Sequence, residues 1–175
     1  PGNYKNYFVI DKDGLTLKGF GKKEDIIIMS NKNGCFEITT NNVTLENLTI
    51  KASKNYTSAP VIHLIGANDV NIINNIVEAN YTKTGQPAIG TSSGPARATG
   101  LIKGNTVTGA IGVGTAGNLE VSNNTILNAY SEGIWFYPIE PTAELIIKNN
   151  KVMNHAYGDS TAKQLKVTSR PASIN

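Results

Sequence analysis

Six copies of one short pattern constrain this 175-residue chain more than any other feature. Five are clear: Val43–Ile50, Val70–Val77, Gly100–Val107, Leu119–Ile126 and Leu145–Val152. A weaker sixth begins at Leu15. Each reads apolar, x, apolar, x, Asn or Gly, then usually Asn, x, apolar. The fifth positions are Gly19, Asn47, Asn74, Gly104, Asn123 and Asn149, separated by 28, 27, 30, 19 and 26 residues.

Two alternating apolar side chains make a strand with one buried face. Asn or Gly then lets the chain turn a corner, because both accept left-handed backbone angles. One unit cannot bury its apolar face alone. Units stacked at ~4.8 Å share a continuous interior. The sixth positions, Phe20, Leu48, Asn75, Asn105, Asn124 and Asn150, are then expected above one another, the last four as an amide ladder. A leucine-rich repeat would need helical backs, and a β-sandwich would not explain the recurring Asn pair. Composition agrees: 22 asparagines and 17 glycines favour many short strands joined by turns over helices.

A second strand precedes each of the five clear copies: Cys35–Ile38, Val61–Leu64, Ala88–Gly90, Ile111–Val113 and Ile134–Phe136. Residues 80–99 form the longest insertion, rich in Thr, Ser, Gly and Pro, and parts of it are expected to project from the stack. The expected organisation is one β-helix domain over residues 1–175. Its coils run from about 8 to 157, and 158–175 form an irregular tail that can cap the last coil.

The bulk numbers exclude some classes. Charged residues are 17% and hydrophobic ones 39%, unlike a disordered acidic tail. No apolar run reaches the ~18–20 residues of a spanning helix, so no membrane insertion is expected. The net charge of +3 comes mostly from scattered lysines, with only Arg97 and Arg170 as arginines, which gives no nucleic-acid footprint. The lone Cys35 excludes an internal disulfide and fits a small buried residue. The start at Pro1 reads as a mature or excised domain of a larger multidomain protein.

The unit apolar-x-apolar-x-Asn-Asn-x-apolar, as in Leu119–Ile126 and Leu145–Val152, resembles the parallel β-helix repeat of the pectate-lyase-like superfamily, over roughly Leu15 to Asn154. The resemblance implies an all-β, right-handed parallel β-helix (a solenoid) of about six coils with an Asn ladder. It also implies a secreted or cell-surface protein that faces carbohydrate. It attaches no reaction, since superfamily members include lyases, hydrolases, epimerases and noncatalytic surface domains.

The chemistry-bearing residues lean against catalysis. The superfamily's lyases use acidic calcium ligands, and its polygalacturonases use clustered aspartates. Here the thirteen acids contain no Asp-Asp pair and no Asp-x-Asp-x-Asp string. Glycoside hydrolysis needs two carboxyls across ~5–9.5 Å of a sugar, and no such pair can be assembled from spacing. Catalytic residues are therefore not assigned, and no metal site or cofactor is expected. His155 lacks a metal-binding companion.

A binding face is easier to place. If Phe36, Ile62, Ile89, Ile111 and Ile134 point inward, their successors Glu37, His63, Gly90, Gly112 and Trp135 point outward. Two places on lie Thr39, Ile65, Ser92, Gly114 and Tyr137. This predicts a groove with a glycine floor, an aromatic wall of Trp135 and Tyr137, and Glu37 one coil from His63. Such a groove suits a sugar ring. Against it stands packing of both aromatics under the 138–141 loop, with Glu37 and His63 as a plain surface pair. Glu37 with His63 also has the form of an acid–base pair, and Arg97 with Lys83 can clamp a carboxylated sugar. An ice-binding face would need aligned Thr rows, and Asn71, Leu101, Glu120 and Ile146 break the row begun by Thr16 and Thr44. Glycosylation sequons at Asn42, Asn47, Asn55, Asn80 and Asn123 read mostly as structural.

The expected function is thus a noncatalytic β-helix module of a secreted or cell-surface protein that recognises polysaccharide or spaces other domains. The alternative is a lyase, hydrolase or epimerase acting on an acidic polysaccharide. Glu37, His63, Trp135 and Tyr137 are the candidate carbohydrate-binding residues.

Overall fold

The computed structural model describes residues 2–30, 34–52, 59–79, 86–91, 97–140, 142–155, 164–167 and 173–174. Among these residues, three parallel sheets of seven strands wrap one core. The first sheet holds β1 (Gly2–Lys5), β4 (Ile26–Ser30), β7 (Thr49–Ala52), β10 (Ile76–Glu78), β13 (Thr106–Thr108), β16 (Thr125–Leu127) and β19 (Lys151–Met153). The second holds β2 (Phe8–Ile10), β5 (Phe36–Ile38), β8 (Ile62–Leu64), β11 (Ile89–Thr91), β14 (Ile111–Thr115), β17 (Ile134–Ile139) and β20 (Leu165–Val167). The third holds β3 (Thr16–Lys18), β6 (Thr44–Glu46), β9 (Val70–Ile73), β12 (Gly100–Lys103), β15 (Leu119–Ser122), β18 (Glu144–Lys148) and β21 (Ser173–Ile174). Neighbours in a sheet are three elements apart in the chain, so each circuit of three strands is one coil of an all-β solenoid. The only described helix is a single 3-10 turn, Lys23–Asp25.

Each motif copy supplies a third-sheet strand, the corner after it, and the first strand of the next coil. Equal motif positions become vertical neighbours: Leu45, Ile72, Ile102 and Val121 are register partners in the third sheet, and Ile50, Val77, Val107 and Ile126 in the first. All eight are buried. Burying one such side chain contributes about 1.5–3 kcal/mol, and no single coil can supply the cover.

The corners behave as the motif requires. Asn47, Asn74, Asn123 and Asn149 have φ of 57°, 53°, 54° and 55°, and Gly104 joins their column at 68°. Next to them the amide ladder is complete. Asn75 donates to Asn105 at 3.3 Å, Asn105 to Asn124 at 3.0 Å, and Asn124 to Asn150 at 2.9 Å. The Oδ1 atoms of Asn105, Asn124 and Asn150 also accept the backbone N–H of the Asn one coil earlier, Asn75 Oδ1 accepts that of Leu48, and each Nδ2 donates to a carbonyl of the earlier coil as well. Buried amides left without partners would cost about 1–3 kcal/mol each. Of the sequons, Asn47 spends its Nδ2 on the carbonyls of Gly19 and Gly21. Asn55 and Asn80 lie outside the described residues.

Three expectations change. Phe20 is 82% exposed and leaves its column. The amide of Asn47 draws in the carbonyls on either side of it, Gly19 and Gly21, so the side chain between them turns outward. Strand begins at Gly2, not near residue 8, because the first-sheet strand β1 pairs with β4. The tail is not wholly irregular: β20 pairs with β17 and β21 with β18. Parallel pairing uses backbone groups and does not need the Asn motif. Among the described residues no helix is long and apolar enough to cross a membrane.

Candidate functional site

The outward column of the second sheet forms as its alternation requires. Glu37, His63, Gly90, Gly112 and Trp135 are successive register partners, one per coil. Val9 continues the column above Glu37 and Lys166 continues it below Trp135. Their inward neighbours Phe36, Ile62, Ile89, Ile111 and Ile134 are all buried. Phe8 stacks on Phe36 with ring centroids 5.3 Å apart.

The middle of this column is not an open floor. Gly90 and Gly112 are buried. A Cβ on Gly90 would collide with Cγ of Pro87 and with the Gly112 carbonyl, and one on Gly112 would collide with the six-membered ring of Trp135. The two missing side chains therefore make room for neighbouring rings, which is a common use of strand glycine. Trp135 is a shelf laid across the sheet, not a wall beside a groove. It is partly buried and packs against the core.

Tyr137 is set by an irregularity. Val113 pairs with Phe136, but Thr115 pairs with Ile139, so β17 carries one extra residue there. Such a bulge re-aims side chains, and Tyr137 is 55% exposed. The other six exposed large hydrophobic residues, Tyr4, Val9, Leu15, Phe20, Met153 and Leu165, belong to the first or last coil or to the corner leaving the first. Among the described residues Tyr137 is thus the exposed large apolar side chain in the body of the stack.

At the other end of the column, the hydroxyl of Tyr7 donates to Oε2 of Glu37. Burial pushes the Tyr7 hydroxyl up to about 12, helped by that hydrogen bond and by the charge of Glu37. His63 is half-buried, and burial lowers its pKa against the opposing pull of Glu37. It is therefore neutral at pH 7, and its buried Nε2 has no hydrogen-bond partner among the described residues.

Among the described residues, five further carboxylates meet cations. Glu46 pairs with Lys18 at 2.9 Å, Glu78 with Lys51 at 2.9 Å, Glu120 with Lys148 at 3.3 Å, Glu132 with Lys166 at 2.7 Å and Glu140 with Arg97 at 2.9 Å. The last two pairs flank the aromatic end of the column. Arg97 is held there by the bond from Ala98 N–H to the Gly114 carbonyl, and Glu140 by its own N–H to the Thr115 carbonyl. Lys83 and Ser92 lie outside the described residues. Among the described residues, no three His, Cys, Asp or Glu side chains come together as a metal centre. Cys35 is buried, donates to the Lys51 carbonyl at 2.8 Å, and has its thiol pushed up to about 12 by burial.

The spacing thus brings Glu37, His63 and Trp135 into one column and leaves Tyr137 beside it. Tyr7, Pro87, Glu132 and Lys166 are additions that the motif does not announce. A glycine one coil above a tryptophan was a usable signal for the shelf.

A family model described as a right-handed β-helix region matches residues 14–170. No curated protein and no solved structure matches the chain.

Proposed function

The chain belongs to the right-handed β-helix family, and from that premise we propose that it is a noncatalytic module of a secreted or cell-surface protein that recognises polysaccharide. One observation carries the reading: the Trp135 indole lies across Gly112 with the exposed Tyr137 next to it, on the face that also carries His63 and Glu37. Aromatic faces bury the apolar C–H side of a sugar ring, while polar neighbours bond its hydroxyls.

The state of the carboxylates supports the noncatalytic part. Glycoside hydrolysis requires two carboxyls facing one sugar. Here Glu37 is engaged by Tyr7, and Glu46, Glu78, Glu120, Glu132 and Glu140 face lysine or arginine. A second reading, a lyase, hydrolase or epimerase, draws on His63 Nε2, one coil from Glu37 and without a hydrogen-bond partner among the described residues.

A glycan array followed by titration calorimetry tests the first reading. Trp135→Ala should weaken any hit at least about tenfold, the scale of one lost stacking contact, with the β-sheet circular dichroism unchanged. Equal affinity of the variant removes this face as the site. Release of unsaturated or reducing ends from a polysaccharide would favour the second reading.

A further inference from the structure

The charges around the Trp135 shelf select among sugars. Resting on the glycan-binding reading above, we infer that this face takes an uncharged polysaccharide and discriminates against polyuronates.

A uronate carboxylate needs a cation or a convergent set of donors to replace its water. The column offers Glu37, already an anion, whose oxygen accepts the Tyr7 hydroxyl. It offers His63, which burial keeps neutral at pH 7. Among the described residues, the cations at the aromatic end are engaged: Lys166, the register partner of Trp135, lies 2.7 Å from Glu132, and Arg97 lies 2.9 Å from Glu140. Among the described residues, Glu37, Glu132 and Glu140 stand here against Lys166 and Arg97, three acids to two bases. A chain bearing a carboxylate on every ring would meet like charge at Glu37 and would have to displace Glu132 or Glu140 elsewhere. A neutral pyranose chain meets neither cost. Its ring faces fit the indole, and its hydroxyls can donate to Glu37.

The test compares ligands of equal length on the intact 175-residue chain. Neutral hexasaccharides of β-glucan, mannan and xylan type are titrated at pH 7 alongside hexagalacturonate and hexaguluronate, at low salt and again at salt high enough to shrink the Debye length to about 3 Å. At least one neutral series should bind at least tenfold tighter than either uronate at low salt, with affinity nearly independent of salt. The variant Glu132→Gln, which removes the negative charge 2.7 Å from Lys166 beside the shelf, should raise uronate affinity severalfold at low salt and lose that gain at high salt. Preferential uronate binding that Trp135→Ala abolishes would overturn this inference while leaving the glycan reading intact. A Glu132→Gln variant with unchanged uronate affinity would overturn its electrostatic basis. Binding to neither series would overturn the glycan reading along with it.

Discussion

Asn105 and Asn124 sit one coil apart, and a single oxygen, Asn124 Oδ1, accepts both the side-chain amide and the backbone N–H of Asn105 at 3.0 Å. Both residues are buried. This forked bond ties adjacent coils at a corner where the sheet ladders are interrupted.

Asn105→Ala should therefore destabilise the fold by about 3 kcal/mol. The substitution strips partners from the Asn75 N–H and amide and from the Ile72 carbonyl, and desolvated groups of this kind cost about 1–3 kcal/mol each. Asn150→Ala, at the half-buried end of the ladder, should cost less. Urea unfolding followed by circular dichroism measures both. Equal losses would mean that the ladder is no stronger inside the stack than at its end.

Gly112→Ala should expel the indole from its shelf. The new methyl would occupy the space of the Trp135 ring, and overpacking of this kind costs about 1–3 kcal/mol. The chain has one tryptophan, so the emission spectrum reports on Trp135 alone. A red shift is expected, with loss of any glycan affinity that depends on Trp135. An unmoved spectrum would show that the ring does not rest on Gly112.

Cys35 should resist thiol reagents in the folded protein. Its sulfur is buried and its thiol is pushed up to about 12, so the nucleophilic thiolate is scarce at pH 8. Labelling should be at least about a hundredfold slower than after unfolding, since it requires opening of the stack. Rapid modification of the native chain would contradict the packing of β5 and its entry corner.

Acid should act in two windows. His63 has its folded pKa below 6.5, so between those values the unfolded chain binds more protons and stability falls as the pH drops. Asp13, Glu120 and Glu132 have folded pKa values below their ordinary 3.8 and 4.5; the stability they contribute is present above those values and is lost on further acidification. Thermal melts of the protein and of His63→Gln from pH 7.5 downward should differ in slope near pH 6 and become parallel once His63 is fully protonated. Parallel slopes throughout would place the imidazole in water.

At the alkaline end the sign reverses. The Tyr7 hydroxyl titrates at about 12 in the fold against 10.0 when free, so its contribution holds below pH 10 and disappears as the pH rises towards 12. Tyr7→Phe should lower stability at pH 8, flatten this alkaline loss, and remove the tyrosinate absorbance step near pH 12.

The motif alone specified which residues face the core and, Phe20 apart, which stand in one column, but not which outward positions stay open to water. In a parallel stack, equal positions of successive units must lie ~4.8 Å apart. The chain Glu37, His63, Gly90, Gly112, Trp135 and the ladder Asn75, Asn105, Asn124, Asn150 were legible for that reason. Contacts made outside the repeating unit were not. Pro87 reaches Gly90, Trp135 covers Gly112, Tyr7 bonds Glu37, and Phe20 swings into solvent. A second polar ladder, from Asp13 through Asn41 and Asn68, runs along another corner without any motif to mark it. These depend on side-chain rotamers and on corner and loop lengths that vary from coil to coil. Stacking repeats the backbone, but each unit places its own side chains, and the chemistry of the face is decided there.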